Sequence, residues 1–116
     1  MSQPITQSIK RTILQRLTIP NLPGWESRLV LLEYPPGFAA PLHTHPVAAT
    51  GYIIEGVVAS QWEGKEVEYY KAGDSFVDLG VDLHLRSENL SKTGWLRMVN
   101  SYVIKIGDPN VEMVED

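Results

Sequence analysis

Eight prolines and nine glycines are spread along the chain and cut it into short segments. No stretch between them carries a sustained 3.6-residue apolar period with caps, the pattern a long helix needs. What the turn signals enclose is instead rich in β-branched, aromatic and leucine side chains, the rhythm of an all-β domain. Thr12–Ile19 reads as a first strand, stopped by Pro20-Asn21-Leu22-Pro23-Gly24. Ser27–Tyr34 reads as a second and ends at Pro35-Pro36-Gly37. Thr50–Glu55 and Val57–Glu63 flank Gly56 and predict a tight hairpin. A turn at Glu63-Gly64-Lys65-Glu66 leads into Val67–Tyr70, and Gly73-Asp74 opens a strand running through Asp78. Leu83–Ser87 and Trp95–Lys105 follow, for about eight or nine strands in all, with room for only a short helical turn near the N-terminus. So many short strands in one domain form a sandwich or a barrel, and closure removes exposed edges. The expectation is one antiparallel β-barrel domain over residues 1–116, with its core at about 27–105.

Composition narrows the chemistry. Ten Lys and Arg against 14 Asp and Glu give a net charge of -4, which argues against nucleic acid or an anionic membrane as the main partner. The chain has no cysteine, so a disulfide framework, a thiolate metal site and a Cys nucleophile are all excluded. Any transition metal must then use imidazole, carboxylate or water. Met1–Thr18 lacks an apolar run and is punctuated by Lys10, Arg11 and Arg16. That predicts neither a signal peptide nor a spanning segment, and a cytoplasmic location by default. A Gly-x-Gly-x-x-Gly turn and a phosphate loop are both missing.

The chain has three histidines. Two lie in Gly37-Phe38-Ala39-Ala40-Pro41-Leu42-His43-Thr44-His45-Pro46. On a strand, His43 and His45 project to the same side, where both imidazoles can reach one ion at about 2.0–2.1 Å. Taken alone, the pair reads equally well as two surface histidines beside a proline turn. His84 follows the turn Gly80-Val81-Asp82, and a neighbouring strand can return it to the same pocket.

With these residues the sequence resembles the cupin superfamily over roughly Val30 to Val103. The first cupin motif is G-x5-H-x-H-x3,4-E-x6-G, and Gly37, His43, His45 and Gly56 match it in register. Tyr52-Ile53-Ile54-Glu55-Gly56 is similar to the family's YVLEG run. The second motif is G-x5-P-x-G-x2-H-x3-N, and Gly73 and His84 match it in register. The resemblance implies a double-stranded β-helix of jelly-roll type. It also implies one divalent ion per chain (Fe, Mn, Ni or Zn) on His43, His45 and His84.

Departures from the pattern bear on function. The motif's glutamate should fall at position 49, where this chain has Ala49, and Pro46–Thr50 holds no carboxylate or imidazole in its place. Leu79 and Val81 replace the usual proline and glycine, and Asn89 stands one place late. Three histidines without the glutamate bring no charge to the ion, which favours an anionic co-ligand and open coordination positions. The other reading of Ala49 is a degenerate site with weak metal affinity. Gln61 offers a neutral oxygen in the glutamate's stead, whereas Glu55 reads as a hairpin end facing water. Strand parity puts Arg86 on the face of His84, as a partner for a carboxylate or enolate, unless a register shift sends it to solvent. Tyr52, on the histidine-bearing motif, is the preferred phenol for bound oxygen or substrate. Trp62, Phe76 and Met98 read first as core.

Three-histidine centres occur in the family among oxygen-using dioxygenases. The resemblance therefore implies a non-haem metal enzyme, dioxygenase-like or a lyase or isomerase, acting on a small organic acid or diketone. The alternatives are a metal- or small-molecule-sensing module without turnover, and a barrel kept only for assembly. Small cupins commonly pair, so a homodimer is expected. Segment 1–24, with Ile13–Ile19 at its heart, either docks on a partner or closes its own sheet.

Overall fold

The structure, a computed structural model, describes residues 8–113. Ten strands are present: β1 (Lys10–Thr18), β2 (Trp25–Tyr34), β3 (His43–Thr44), β4 (Ala49–Glu55), β5 (Val57–Trp62), β6 (Glu68–Lys71), β7 (Ser75–Asp78), β8 (His84–Asn89), β9 (Leu96–Lys105) and β10 (Glu112–Met113). The described residues contain no helix. All ladders are antiparallel and form two five-stranded sheets. One has the order β1-β2-β9-β4-β7 and the other β10-β3-β8-β5-β6.

This corrects the expectation of a closed barrel. Neither sheet closes on itself; the chain instead passes from one sheet to the other at corners. The turn at Gly56 is one of these. The predicted hairpin across it does not form, because β4 belongs to the first sheet and β5 to the second. Gly56 holds φ +91°, and a Cβ there would lie 2.8 Å from the Trp95 carbonyl oxygen. Only glycine fits so tight a crossing. The hairpin that forms next to it is β5–β6, with Val57 opposite Lys71 and Ser60 opposite Glu68.

β2 and β9 make the spine of the core. Residues 26, 28, 30, 32 and 34 of β2 all point inward, as do 96, 98, 100, 102 and 104 of β9. The register sets Val30 against Asn100, Leu32 against Met98 and Tyr34 against Leu96, so the two inward rows face the same interior. Val30, Ile53, Leu96 and Ile104 are fully buried. Burying a side chain of this size stabilises the fold by about 1.5–3 kcal/mol.

The N-terminal strand pairs with β2 of its own chain, Lys10 opposite Glu33 through Thr18 opposite Glu26. Its other side is a sheet edge, along which Ile13, Leu14 and Leu17 are exposed. Among the described residues, no helix is long and apolar enough to cross a membrane.

Candidate metal centre

The sandwich interior brings the three histidines together. His43 sits on β3, His45 follows it by two residues, and His84 opens β8 directly opposite His43 in the ladder. All three are buried, and one ring nitrogen from each lies within 4.8 Å of the others.

Each ring is held by its remaining nitrogen. His43 Nδ1 is 2.7 Å from the Pro41 carbonyl oxygen, and His45 Nδ1 is 2.6 Å from that of Asn110. A carbonyl only accepts, so both Nδ1 atoms carry the hydrogen, and neutral His43 presents a lone pair at Nε2. His84 Nε2 lies 2.8 Å from Ser60 Oγ, leaving Nδ1 toward His43 Nε2 at 3.1 Å. The Trp62 indole stacks on the His84 ring at 3.9 Å between centroids and 7° between planes.

Two ligand atoms about 2.1 Å from one ion, at right angles, stand about 3.0 Å apart. The His43–His84 separation matches that spacing, and the donor set of neutral imidazoles fits a divalent transition metal. Burial, then the neighbouring His43, pushes the His84 pKa down to about 3. Burial likewise lowers that of His43. Both rings are therefore kept neutral, the form that ligates metal.

A carboxylate also enters the site. Asp78, at the end of β7, is buried, and its Oδ2 lies 2.9 Å from His45 Nε2. The Gly80 N–H donates to its Oδ1 at 3.1 Å. The Gly80 carbonyl in turn accepts from the His45 N–H at 2.9 Å. Gly80 has φ +78°, and a Cβ would come within 2.7 Å of the Val47 and Ala48 backbone. One glycine thus ties the Asp78 turn to the His45 turn.

The cavity beside the histidines has a volume of about 30 Å³, comparable to the share of one water in the liquid. Trp62, Phe76 and Met98 line it, and so does Arg11 from β1. Asn100 also lines it, with Oδ1 buried and unpartnered. An open groove adjoins it and shares Trp62, Tyr70, Phe76 and Val77 as wall.

Two expected site residues are placed elsewhere. Opposite β5, Gln61 pairs with Arg86 but Trp62 pairs with His84, so Leu85 is an extra residue in β8. That bulge reverses parity beyond it: His84, Ser87 and Asn89 are buried, while Arg86 turns outward and donates to Glu88 at 2.9 Å. The same extra residue explains why the motif asparagine stands one place late. Asn89 reaches its inward place all the same, with Nδ2 donating to the Tyr34, Pro35 and Gly94 carbonyls. Tyr52 lies on the outer face of β4 and is 48% exposed, because Ala49, Gly51 and Ile53 take the inner face. Gln61 points away as well, donating to the Lys65 carbonyl. Glu55 faces water, as expected, and pairs with Arg97.

Comparison with known proteins agrees with this geometry. The model of the Cupin domain family matches residues 30–78. That match spans less than half of the chain, and the rest of the likeness is one of fold. A double-stranded β-helix protein from Klebsiella pneumoniae superposes with TM-score 0.69 at 19% identity, covering 98% of this chain and 90% of that one. A cupin-like protein from Thermotoga maritima gives 0.70 at 17% identity, covering 96% of this chain and 79% of its own. An oxalate oxidase gives 0.67 at 22% identity; the match covers 91% of this chain but only 55% of the oxidase chain. No curated protein sequence matches the chain.

Proposed function

We propose that this chain is a metal-dependent enzyme carrying one divalent ion per chain on His43, His45 and His84. The reaction is dioxygenase-like, or that of a lyase or isomerase, and the substrate is a small organic acid or diketone. The observation that carries the reading is the convergence of three buried imidazoles whose other nitrogens are each held by a fixed partner. When bound, a divalent ion supplies Lewis-acid polarisation of a substrate oxygen and, if it is iron, one-electron chemistry with dioxygen.

The chain's own residues supply position and environment. Pro41, Asn110 and Ser60 orient the rings, and Trp62, Phe76 and Met98 give the cavity apolar walls. Arg11, not Arg86, is the guanidinium at the cavity and the natural partner for a carboxylate or enolate. Asn100 Oδ1 offers an acceptor for a substrate hydroxyl. The small cavity favours a small substrate, and similarity to an oxalate oxidase supports an organic acid. The exposed apolar edge of β1 supports pairing into a homodimer, which sedimentation velocity would report as twice the 13.0 kDa chain mass.

The test is oxygen uptake after anaerobic Fe(II) loading, across a panel of diketones, thiols and small organic acids. Uptake should require substrate and vanish in His84→Ala. Saturable ligand binding with no turnover of any panel member would instead make the chain a sensing module.

A further inference from the structure

We infer that residues 107–113 act as a clasp on the metal site, and that Asn110, anchored by Arg28, is a positioning residue for His45. The inference rests on the three-histidine reading above and goes beyond it by tying metal binding to the docking of the C-terminal segment. Three observations carry it.

The first is the path of the chain. β9 ends at Lys105 in one sheet and β10 lies in the other, so residues 106–111 cross between the sheets. β10 then sets Met113 opposite His43 and Glu112 opposite Thr44. β3 is only two residues long and meets β8 at one pair, His43 with His84. The C-terminal strand therefore contributes more of the ladder around His43 than β8 does.

The second is that Asn110 is bonded at both ends. Its carbonyl accepts from His45 Nδ1 at 2.6 Å, and its Oδ1 accepts from Arg28 Nη1 at 2.7 Å. The same Nη1 donates to the Asp108 carbonyl at 2.9 Å. Arg28 is 2% exposed and fixed by the Glu26 carboxylate, which makes it a rigid anchor. His45 lies just beyond the end of β3, so the ladder does not set its ring. With Nδ1 taken by Asn110, Nε2 is the atom left for a metal, and the plane of the ring follows from where Asn110 sits.

The third is how lightly the segment is otherwise attached. Gly107 and Pro109 are exposed, Asp108 and Asn110 are only half-buried, and Pro109 has no N–H to donate. Polar contacts rather than packing hold it down, as in regions that open locally with little free energy. When the segment opens, His45 loses the partner of its Nδ1. A metal that prefers the oriented ring must then favour the docked segment, and docking must favour the metal by the same free energy.

The experiment compares the full-length wild type with Asn110→Ala. The substitution removes the acceptor for Arg28 at a half-buried position and leaves the carbonyl and the Arg28–Glu26 pair in place. Co(II) affinity is measured by chelator competition, the Co(II) visible spectrum reports ligand geometry, and amide hydrogen exchange follows residues 110–113. In Asn110→Ala the segment should exchange faster, Co(II) should bind about tenfold more weakly, and the spectrum should shift. In the wild type, saturating Co(II) should slow exchange of the same amides. Wild-type affinity and an unchanged spectrum in Asn110→Ala would overturn the inference and leave the three-histidine site standing, even with faster exchange. No Co(II) binding by the wild-type chain would overturn the three-histidine reading, and the inference with it.

Discussion

Arg28 and His45 are both buried, and both are hydrogen-bonded to Asn110, but the clusters they belong to are differently provided. Arg28 donates twice to the Glu26 carboxylate, at 2.8 and 2.6 Å, and further to the Asp108 carbonyl and Asn110 Oδ1. Every part of that guanidinium has a protein partner, and the carboxylate answers its charge. The histidine cluster instead gathers a ring nitrogen from each of three histidines within 4.8 Å, with the Asp78 carboxylate 2.9 Å from His45 Nε2. A buried ion pair with every donor matched holds the fold, whereas three convergent imidazoles offer a donor set suited to a divalent ion. The contrast separates a part of this interior that holds the fold from the part proposed to bind metal.

If Arg28 is structural, Arg28→Met should strand Glu26 in the interior and cost about 3–5 kcal/mol, the largest single effect expected. Urea unfolding of the metal-free protein measures it, and a change within experimental error would erase the contrast. The opposite behaviour is expected at the open cluster. Co(II) at a hundred times its Kd should raise stability by about 2.7 kcal/mol, reversibly with chelator, and leave His84→Ala unaffected.

Acid should act on the histidine cluster before any metal is added. The folded His84 pKa, about 3, lies below the ordinary value of 6.5, and that of His43 is lowered too. The associated stability is present in full above 6.5 and is lost as pH falls toward the folded values. Between pH 6.5 and about 5, His84 alone should remove about 2 kcal/mol from the metal-free protein. Urea midpoints along that range would show it, and a shallower profile in His84→Ala would assign it. The smallest effects belong to the outward-facing pair. Arg86→Ala and Tyr52→Phe should each change stability by no more than about 0.5 kcal/mol and leave Co(II) affinity at the wild-type value.

Those last two residues mark where sequence reading stops. The strands were legible because prolines and glycines bound them, and the histidines because their spacing fixes which face they share. Arg86 was misplaced by one unpaired residue, Leu85. A bulge changes no residue type, though the late Asn89 was its trace in the sequence. Tyr52 lies in a run, Thr50 to Glu55, whose apolar residues do not alternate cleanly, so parity could not be set before the β4 ladders were known. Asp78 was hidden differently. It lies across from Ala49, and cross-strand register between segments 29 residues apart is set by the fold. Arg11 was read only as a charge interrupting the N-terminal segment, and its place at the cavity follows from the pairing of β1 with β2. The closed barrel failed for a related reason: strand count does not say where a chain changes sheets, and at Gly56 it does.

The most direct test is a crystal of the Co(II)-loaded protein, measured at the cobalt absorption edge. The account predicts one anomalous peak per chain, in contact with His43 Nε2, His45 Nε2 and His84 Nδ1. A fully loaded crystal with its peak elsewhere, or with these nitrogens bonded only to protein, would contradict it.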